Sequence, residues 1–216
     1  MGTSQAAKAA SHDRILDIAA AQIRRDGVDS LSVAELMKEA GLTHGGFYRH
    51  FDSRETLVAE ATRRALSQGS ASAIAAAELG GRLGYTAIVD SYLSVQHRDH
   101  PESGCAVATS AQDVARTGGA ARTAYSDQVR QYLTVLEGLV DDQGSAGRRD
   151  AVLTLSVLVG ALSVARAIDD PALSDQILAE AAAALTELVA DRLPPRGLPD
   201  GAGLAEARKP PVRDRT

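Results

Sequence analysis

The residues best suited to chemistry lie in one short stretch of the chain, from Ser32 to Phe51, with the sequence SVAELMKEAGLTHGGFYRHF. Its second half carries hydroxyl, imidazole and guanidinium groups on Thr43, His44, Tyr48, Arg49 and His50. Such groups donate hydrogen bonds to phosphate oxygens and to base edges, which are the contacts through which proteins read DNA. This stretch therefore indicates binding to a DNA duplex.

Two adjacent glycines, Gly45 and Gly46, strengthen this interpretation. A glycine inside a helix costs about 0.5–1 kcal/mol relative to alanine, so a sequence that needed only a stable helix would avoid the pair. Glycine is useful where a backbone approaches another surface closely, as it does at a phosphate backbone. The simpler alternative is an ordinary helical hairpin with a solvated polar face.

The elements that position these groups are expected to be two short helices joined by a tight turn. Leu36 and Met37 form an apolar pair in the first helix, and Gly41 can end that helix in the left-handed conformation. Leu42 fills the corner, and Thr43 is expected to cap the second helix. This pattern is typical of a helix-turn-helix that places its second helix in the major groove.

The second helix separates a buried side from an exposed side. Phe47 and Phe51, the only phenylalanines in the chain, are four residues apart and therefore share one face. We expect that face to be buried, which leaves Tyr48, Arg49 and His50 for the reading side.

Composition indicates an all-α protein, because alanine is abundant and aromatic residues make up only 3% of the 216 residues. The net charge of −5 does not suit a broadly basic DNA-binding surface, and residues 1–66 hold nine Lys and Arg against nine Asp and Glu. Any DNA affinity must come from a few local groups: Lys38, His44, Arg49, His50 and Arg54.

The single cysteine excludes an internal disulfide, and neither a signal peptide nor a confident membrane span is visible. A cytoplasmic location is expected.

The helical periodicity divides the chain into four parts. Residues 1–10 are expected to be disordered, 11–66 form the helix-turn-helix domain, 67–193 form a larger helical domain, and 194–216 form a disordered tail. Capping boxes are predicted at Ser32 with Glu35 and at Asp52 with Glu55. Helices are predicted at about 12–26, from Asp52 to about 77, and at 83–98, 103–117, 120–142, 146–168 and 173–192.

The last two predicted helices are suited to joining two copies of the chain. Residues 151–168 are nearly all apolar, with Gly160, Ala161 and Ala165 permitting close approach. The final helix has an apolar stripe: Leu178, Ala181, Leu185, Leu188 and Val189. A four-helix interface between two copies is expected. The alternative is that both helices are buried entirely inside the monomer.

The stretch GLTHGGFYRHFDSRETLVAEA, followed by a helical C-terminal half, closely resembles the TetR (tetracycline-repressor-like) family of bacterial regulators over residues 11–66. The resemblance implies a homodimer that represses from a palindromic operator and is released by a small-molecule effector. Carried over by position, it implies DNA contacts by Ser32, Thr43, His44, Gly45, Tyr48 and His50, and a phosphate contact by Arg54. Arg49 occupies a variable position from which it could reach a base.

The effector site is expected among the helices of the larger domain. Aromatic residues that could form its walls are Tyr85, Tyr92, Tyr125 and Tyr132. Gln112, Arg116 and Arg166 could orient a polar or anionic ligand. Ordinary packing is an equally good interpretation for each tyrosine, and Arg166 could instead be ion-paired at a dimer interface.

Cys105, which follows His97 and His100, supports three interpretations. It could be a small buried residue. It could be a reactive thiol near a helix N-terminus, so that the protein releases DNA when the thiol is modified. It could bind a metal with the two histidines, although the spacing does not match familiar zinc patterns.

Two other classes of protein remain as alternatives. A helical enzyme is not favoured, because the chain lacks paired carboxylates at useful spacing, a phosphate-binding glycine loop and a helical metal motif. No cofactor is expected. The other class is a partner-binding protein whose helix-turn-helix is vestigial.

Overall fold

The computed structural model describes residues 5–140 and 145–190, and every regular element in those ranges is helical. The α-helices are α1 (Gln5–Asp26), α2 (Val33–Glu39), α3 (Arg54–Ala77), α4 (Gly81–Tyr92), α5 (Val95–Asp99), α6 (Ala106–Thr117), α7 (Gly119–Leu139), α8 (Ser145–Ala167) and α9 (Pro171–Ala190). Short 3₁₀ helices lie at Val28–Ser30, His44–Arg49 and Pro101–Ser103. The predicted all-α fold is confirmed.

The N-terminal helix is longer than predicted. α1 begins at Gln5, so the expectation of disorder is wrong for residues 5–10. Four of these six exposed residues are alanine, which has the highest intrinsic helix propensity and so favours extension of the helix. Residues 1–4 and the predicted disordered tail at 194–216 lie outside the described residues.

Serine side chains place two helix starts differently from the prediction. Ser53, rather than Asp52, caps α3, and its hydroxyl accepts a hydrogen bond from the Thr56 backbone N–H at 3.1 Å. Ser94 caps α5 in the same way, accepting from the His97 N–H at 3.1 Å. Because Ser94 starts a new helix, the single helix predicted over 83–98 is divided into α4 and α5.

Two apolar cores hold the helices together. The first core lies between α1, α2 and α3 and includes Ile15, Leu36 and Phe51. It continues to α6 and α7 through Val107 and Tyr132. The second joins α4, α7, α8 and α9 around further large side chains: Tyr85, Leu136, Leu158 and Leu185. Because the first core crosses residue 66, the proposed division at 66/67 runs through a continuous packing unit, and it stays a prediction.

α8 combines an apolar composition with an exposed face. In the described parts of the chain, Ala146–Ala167 is the one segment long and apolar enough to cross a membrane by length and composition, and 33% of its most apolar window is buried. One face of α8 stays exposed: Val152, Leu153, Ser156, Gly160, Ser163 and Val164. By contrast, Leu178, Leu185 and Val189 from the predicted stripe of α9 are buried against the monomer's own core.

Candidate functional site

The turn between α2 and the 3₁₀ helix His44–Arg49 has the predicted geometry. Ser32 caps α2 through a long hydrogen bond of 3.5 Å from the Glu35 N–H. At the other end, Gly41 has φ of +73°, and the next backbone N–H, that of Leu42, donates to the Met37 carbonyl at 2.8 Å. A glycine in the left-handed region with this bond pattern stops a helix and reverses the chain. The predicted role of Gly41 is confirmed.

The second helix is tighter than predicted. His44–Arg49, named here the recognition segment, is a 3₁₀ helix, and the Thr43 side chain makes no capping hydrogen bond to it. The predicted Thr43 cap is therefore wrong. Its carbonyl instead accepts from the Gly46 N–H at 2.9 Å, which is the i to i+3 pattern of a 3₁₀ turn. Thr43 is exposed, and its hydroxyl makes no capping bond to the recognition segment.

The two glycines of the recognition segment have different surroundings. A Cβ added at Gly46 would lie 3.6 Å from Met37 Cε and 3.6 Å from Thr43 Oγ1, so this residue faces α2 at ordinary contact distance. A Cβ added at Gly45 would meet nothing within 4 Å, and Gly45 is exposed. The argument from close approach to another surface therefore applies to Gly45 alone.

The aromatic residues separate the two sides of the recognition segment as predicted. Phe47 is 3% exposed and Phe51 is 2% exposed, and their ring centroids are 5.5 Å apart. Tyr48, between them in sequence, is 73% exposed. The outer side, named here the reading surface, consists of exposed residues only: Thr43, His44, Gly45, Tyr48 and Arg49.

His50 is set back from the reading surface. It is half-buried, its ring centroid is 6.3 Å from that of His12, and its Nδ1 atom is buried without a hydrogen-bond partner. Burial lowers the pKa of His50 below its ordinary value, and the positive charges of His12, Lys8 and Arg49 lower it further. The neutral form is therefore favoured, so the residue is available as a hydrogen-bonding group rather than as a fixed cation.

The two remaining candidate DNA contacts also hold the local fold together. Arg54 is exposed, and its Nη2 atom donates to the Leu31 carbonyl at 3.3 Å, which ties the start of α3 to the loop before α2. Ser32 is half-buried, and its hydroxyl already accepts the capping bond of α2. Both lie beside the helix-turn-helix, and both have structural duties besides any contact with phosphate.

A cavity of about 190 Å³ lies between α3, α4, α5, α7 and α8, next to the segment 103–105 that precedes α6. Its walls are largely apolar, with Ile88, Leu136, Leu155 and Leu158 among them. Three of the predicted effector residues line it: Tyr92, Cys105 and Tyr132. The structure brings these three together from α4, from the residue before α6 and from α7.

The other predicted effector residues do not line this cavity. The Tyr85 hydroxyl is buried in the second core, 2.8 Å from Thr154 Oγ1. The Tyr125 hydroxyl donates to the Val107 carbonyl at 3.2 Å, and Gln112 is exposed on α6. Arg116 is also exposed, and it pairs with two aspartates, Asp29 and Asp113.

Arg166 supports the cavity wall from outside. Its Nη2 atom donates to the His97 carbonyl at 2.6 Å, and its Nε atom donates to the Arg98 carbonyl at 3.2 Å. It is absent from the residues that line the cavity. Arg166 thus fixes the end of α5 instead of orienting an anionic ligand, as the sequence had suggested it could.

His97 connects α5 to the start of α6. Its Nδ1 atom lies 2.7 Å from the Tyr92 carbonyl oxygen, and its Nε2 atom lies 3.0 Å from the Cys105 backbone nitrogen. Since a carbonyl can only accept and a backbone N–H can only donate, the ring is neutral with its proton on Nδ1. Burial lowers the pKa of His97, and the charge of Arg166 lowers it further. The hydrogen bond to the Tyr92 carbonyl raises the pKa but does not cancel the effect of burial.

Cys105 is a buried cavity residue. It is 4% exposed, and its Sγ atom lies 3.6 Å from the Tyr132 hydroxyl oxygen. His97 is engaged with the backbone, and the exposed His100 has its Nδ1 atom 3.4 Å from Glu102 Oε1. Within residues 5–140 and 145–190, no group of three or more His, Cys, Asp or Glu side chains is placed to hold a metal.

Tyr92 carries the least satisfied polar group of the cavity. Its hydroxyl oxygen is buried and lies near the Cys105 side chain, but it makes no well-formed hydrogen bond. Burial raises the pKa of Tyr92 well above its ordinary value, and the neighbouring Cys105 and Tyr132 raise it further, so the group is a neutral phenol. A buried hydroxyl without a hydrogen bond lowers the stability of the folded protein by about 1–3 kcal/mol. A ligand that forms this bond would remove the cost.

Arg24 is a functional candidate that sequence reasoning missed. It is 7% exposed near the end of α1, and its Nε atom donates to the Glu102 carbonyl at 2.6 Å. Its Nη1 atom also donates to Gln68 Oε1 on α3 at 2.8 Å. Arg24 therefore links α1, α3 and the 3₁₀ helix Pro101–Ser103 beside the cavity. No sequence signal distinguishes it, because an arginine near a helix end is usually solvated.

Comparison with known proteins finds one matching family and several similar structures. The family described as bacterial regulatory proteins, tetR family, matches residues 15–61. A TetR-family transcriptional regulator from Cytophaga hutchinsonii superposes with a TM-score of 0.72 at 16% identity, covering 91% of this chain and 100% of that one. A TetR regulator from Chloroflexus aurantiacus gives a TM-score of 0.71 at 20% identity, covering 86% and 97%.

A third similar structure is the reduced form of E. coli NemR, with a TM-score of 0.70 at 17% identity over 83% of this chain and 97% of that one. At these identities the structures show a shared fold. A search of curated proteins gives no match.

Proposed function

Since the chain belongs to the TetR family of transcriptional regulators and carries its DNA-binding helix-turn-helix, we propose that it represses transcription from a palindromic operator. It binds this operator as a homodimer and is released when a small molecule occupies the cavity. Its place of action is the cytoplasm, where bacterial DNA lies.

The observation that carries the proposal is the division of the recognition segment into two sides. Phe47 and Phe51 are buried against the first core, so the backbone of the segment is held in a fixed position. Tyr48 is 73% exposed beside Gly45 and Arg49, which are also exposed. These groups are thus held on a rigid support and exposed together, where they can contact phosphates and base edges.

The charge distribution favours specific over non-specific DNA binding. The chain has a net charge of −5, while the helix-turn-helix presents exposed cations on Lys38, Arg49 and Arg54. Non-specific affinity grows with the number of phosphates that the protein neutralises, so a protein with few such groups binds random DNA weakly. Base-edge and close backbone contacts by the reading surface must then supply most of the operator affinity.

Dimerisation is supported by the exposed face of α8. Six residues along this face are apolar or small, and they recur at helical spacing from Val152 to Val164. The exposed residues of α9 include Ala179, Ala183 and Ala184, which permit close approach of a second pair of helices. Two copies packed through α8 and α9 would bury both faces and would present two reading surfaces to two operator half-sites.

Release by a ligand is supported by the position of the cavity against α3. Gly69 and Ala73 on α3 line the cavity, and the same helix begins at Arg54, directly after the recognition segment. A ligand that displaces α3 would therefore move the helix-turn-helix of each subunit relative to its half-site.

A gel-shift assay tests the DNA-binding proposal. Operator sequences are first selected from a random DNA pool with the wild-type protein. Tyr48→Ala should then weaken binding to the selected DNA at least tenfold, because an interface aromatic of this exposure typically contributes more than about 1.4 kcal/mol. Leu83→Ala, at another exposed apolar residue, is the matched control and should bind normally. Failure to select any sequence at low salt would contradict the proposal.

A thiol sensor is the second candidate, because Cys105 lies on the cavity wall next to the Tyr132 hydroxyl. In this version, modification of the thiol releases the operator. A thiol-reactive compound should then abolish the gel shift of the wild type and spare that of Cys105→Ser. Equal effects on the two proteins would exclude the sensor.

A further inference from the structure

We infer that the cavity takes an uncharged, largely apolar molecule of about the size of one substituted benzene ring, whose hydrogen-bond acceptor binds the Tyr92 hydroxyl. This inference rests on the proposed function, since it specifies the chemical class of the small molecule that occupies the regulatory cavity.

The size follows from the volume of about 190 Å³. A protein cavity of about 150 Å³ with apolar walls is known to hold benzene. The present cavity therefore has room for one ring with a small substituent.

The lack of charge follows from the lining residues. No Asp, Glu, Lys or Arg is among the residues that line the cavity in the described chain. Arg166 lies outside the cavity lining, where its Nε and Nη2 atoms donate to the Arg98 and His97 carbonyls. His97 is neutral, because a backbone carbonyl and a backbone N–H occupy its two ring nitrogens. A charged ligand would lose its hydration without direct contact with a side chain of opposite charge.

The acceptor follows from the polar groups that remain. Tyr92 lines the cavity, and its buried hydroxyl lies near Cys105 without a well-formed hydrogen bond, whereas the Tyr132 hydroxyl lies 3.6 Å from Cys105 Sγ. Among the other polar lining residues, Ser94 and Ser103 already donate to backbone carbonyls, and Ser91 and Gln96 are exposed. A neutral phenol always carries a proton to donate, so an unpartnered phenol selects a ligand with an acceptor such as a carbonyl oxygen. The apolar side chains of Ile88, Leu155 and Leu158 would cover the rest of the ligand.

Three probes of nearly equal size test each part of the inference: acetophenone, which is neutral and has a carbonyl, ethylbenzene, which has no acceptor, and benzoate, which is an anion. Binding of each to the full-length protein is measured by isothermal titration calorimetry without DNA. We expect acetophenone to bind about three- to tenfold more tightly than ethylbenzene, the ratio expected for one added hydrogen bond. We expect benzoate to bind most weakly.

Tyr92→Phe tests which residue donates. The variant should bind ethylbenzene as the wild type does and should lose the preference for acetophenone. Tyr125→Phe is the matched control, because that hydroxyl bonds the Val107 carbonyl outside the cavity, and it should keep the preference. If Tyr92→Phe does not fold, the order of the three probes on the wild type still decides.

Tighter binding of benzoate, no saturable binding of any probe, or a preference for acetophenone that survives in Tyr92→Phe would each overturn the inference. These titrations contain no DNA, so their failure concerns the cavity alone. Failure of the gel shift concerns the reading surface alone, and the two results are therefore distinguishable.

Discussion

At the scale of single residues, His97 shows how two backbone groups fix the protonation state of a side chain. Its Nδ1 atom must carry the proton for the Tyr92 carbonyl, and its Nε2 atom must stay free to accept from the Cys105 N–H. Protonation of the ring would break the second bond. The neutral form is thus part of the structure that holds the start of α6 beside the cavity.

This arrangement predicts both the tautomer and the titration of His97. ¹⁵N-detected NMR of the imidazole should report the Nδ1–H tautomer and a pKa below the ordinary 6.5. Because the unfolded chain then binds more protons than the folded chain, this residue's contribution to stability is present above about pH 6.5 and is lost as the pH falls below it. An Nε2–H tautomer would contradict the assigned hydrogen bonds.

At the scale of elements, the contact between α3 and the start of α6 depends on one glycine. A Cβ at Gly69 would lie 2.8 Å from the Gly104 carbonyl oxygen and 3.2 Å from Cys105 Cα, and both of these atoms belong to the backbone. Neither can rotate away as a side chain could. Gly69 therefore lets α3 lie against the residues that form the cavity wall.

Gly69→Ala should destabilise the protein by about 1–3 kcal/mol, the usual cost of forcing an extra carbon into a packed site. Gly138→Ala in α7 is the matched control, because a Cβ there would meet nothing within 4 Å. That change should be neutral or should stabilise the helix by up to about 1 kcal/mol. Urea unfolding followed by circular dichroism measures both. Equal effects would show that α3 and α6 are less closely packed than described.

The sequence was sufficient for features that depend on local chemistry. The left-handed Gly41, the buried pair Phe47 and Phe51 and the exposed Tyr48 follow from residue type and helical spacing. The predicted Thr43 cap is wrong, because the segment forms a 3₁₀ turn in which the Thr43 carbonyl, and not its hydroxyl, accepts a backbone hydrogen bond.

The cavity residues could be predicted only in part, because they depend on how distant helices pack. Spacing placed Tyr125 and Tyr132 on one face of α7, and both do contact the first residues of α6. Spacing could not show that the cavity reaches only Tyr132. Nor could it show that Arg166 bonds two carbonyls of α5, since those partners are nearly 70 residues away in sequence.

At the scale of the whole molecule, the exposed apolar face of α8 is the feature that a single copy leaves unexplained. A helix with this composition in a monomer would normally turn its apolar residues inward. Here Val152, Leu153 and Val164 are 44%, 42% and 49% exposed. A second copy that covers this face is the basis of the proposed dimer.

Leu153→Glu should convert the proposed dimer to a monomer, because it would bury a carboxylate in the interface without a partner. Leu83→Glu, which changes an exposed leucine on α4, is the matched control and should leave the dimer intact. Sedimentation equilibrium at several protein concentrations measures both masses. A Leu153→Glu protein that stays dimeric would show that the copies associate through another surface.

The links made by Arg24 have a consequence for how a promoter would respond to the ligand. Arg24 connects α1 to α3 and to the Glu102 carbonyl beside the cavity. A movement at the cavity and a movement at the DNA would therefore both alter these hydrogen bonds. Thermodynamic reciprocity then requires that operator DNA weaken ligand binding by the same factor by which the ligand weakens operator binding. In the proposed regulator, a promoter with a tighter operator would need more ligand for release, and one protein could switch different promoters at different ligand concentrations.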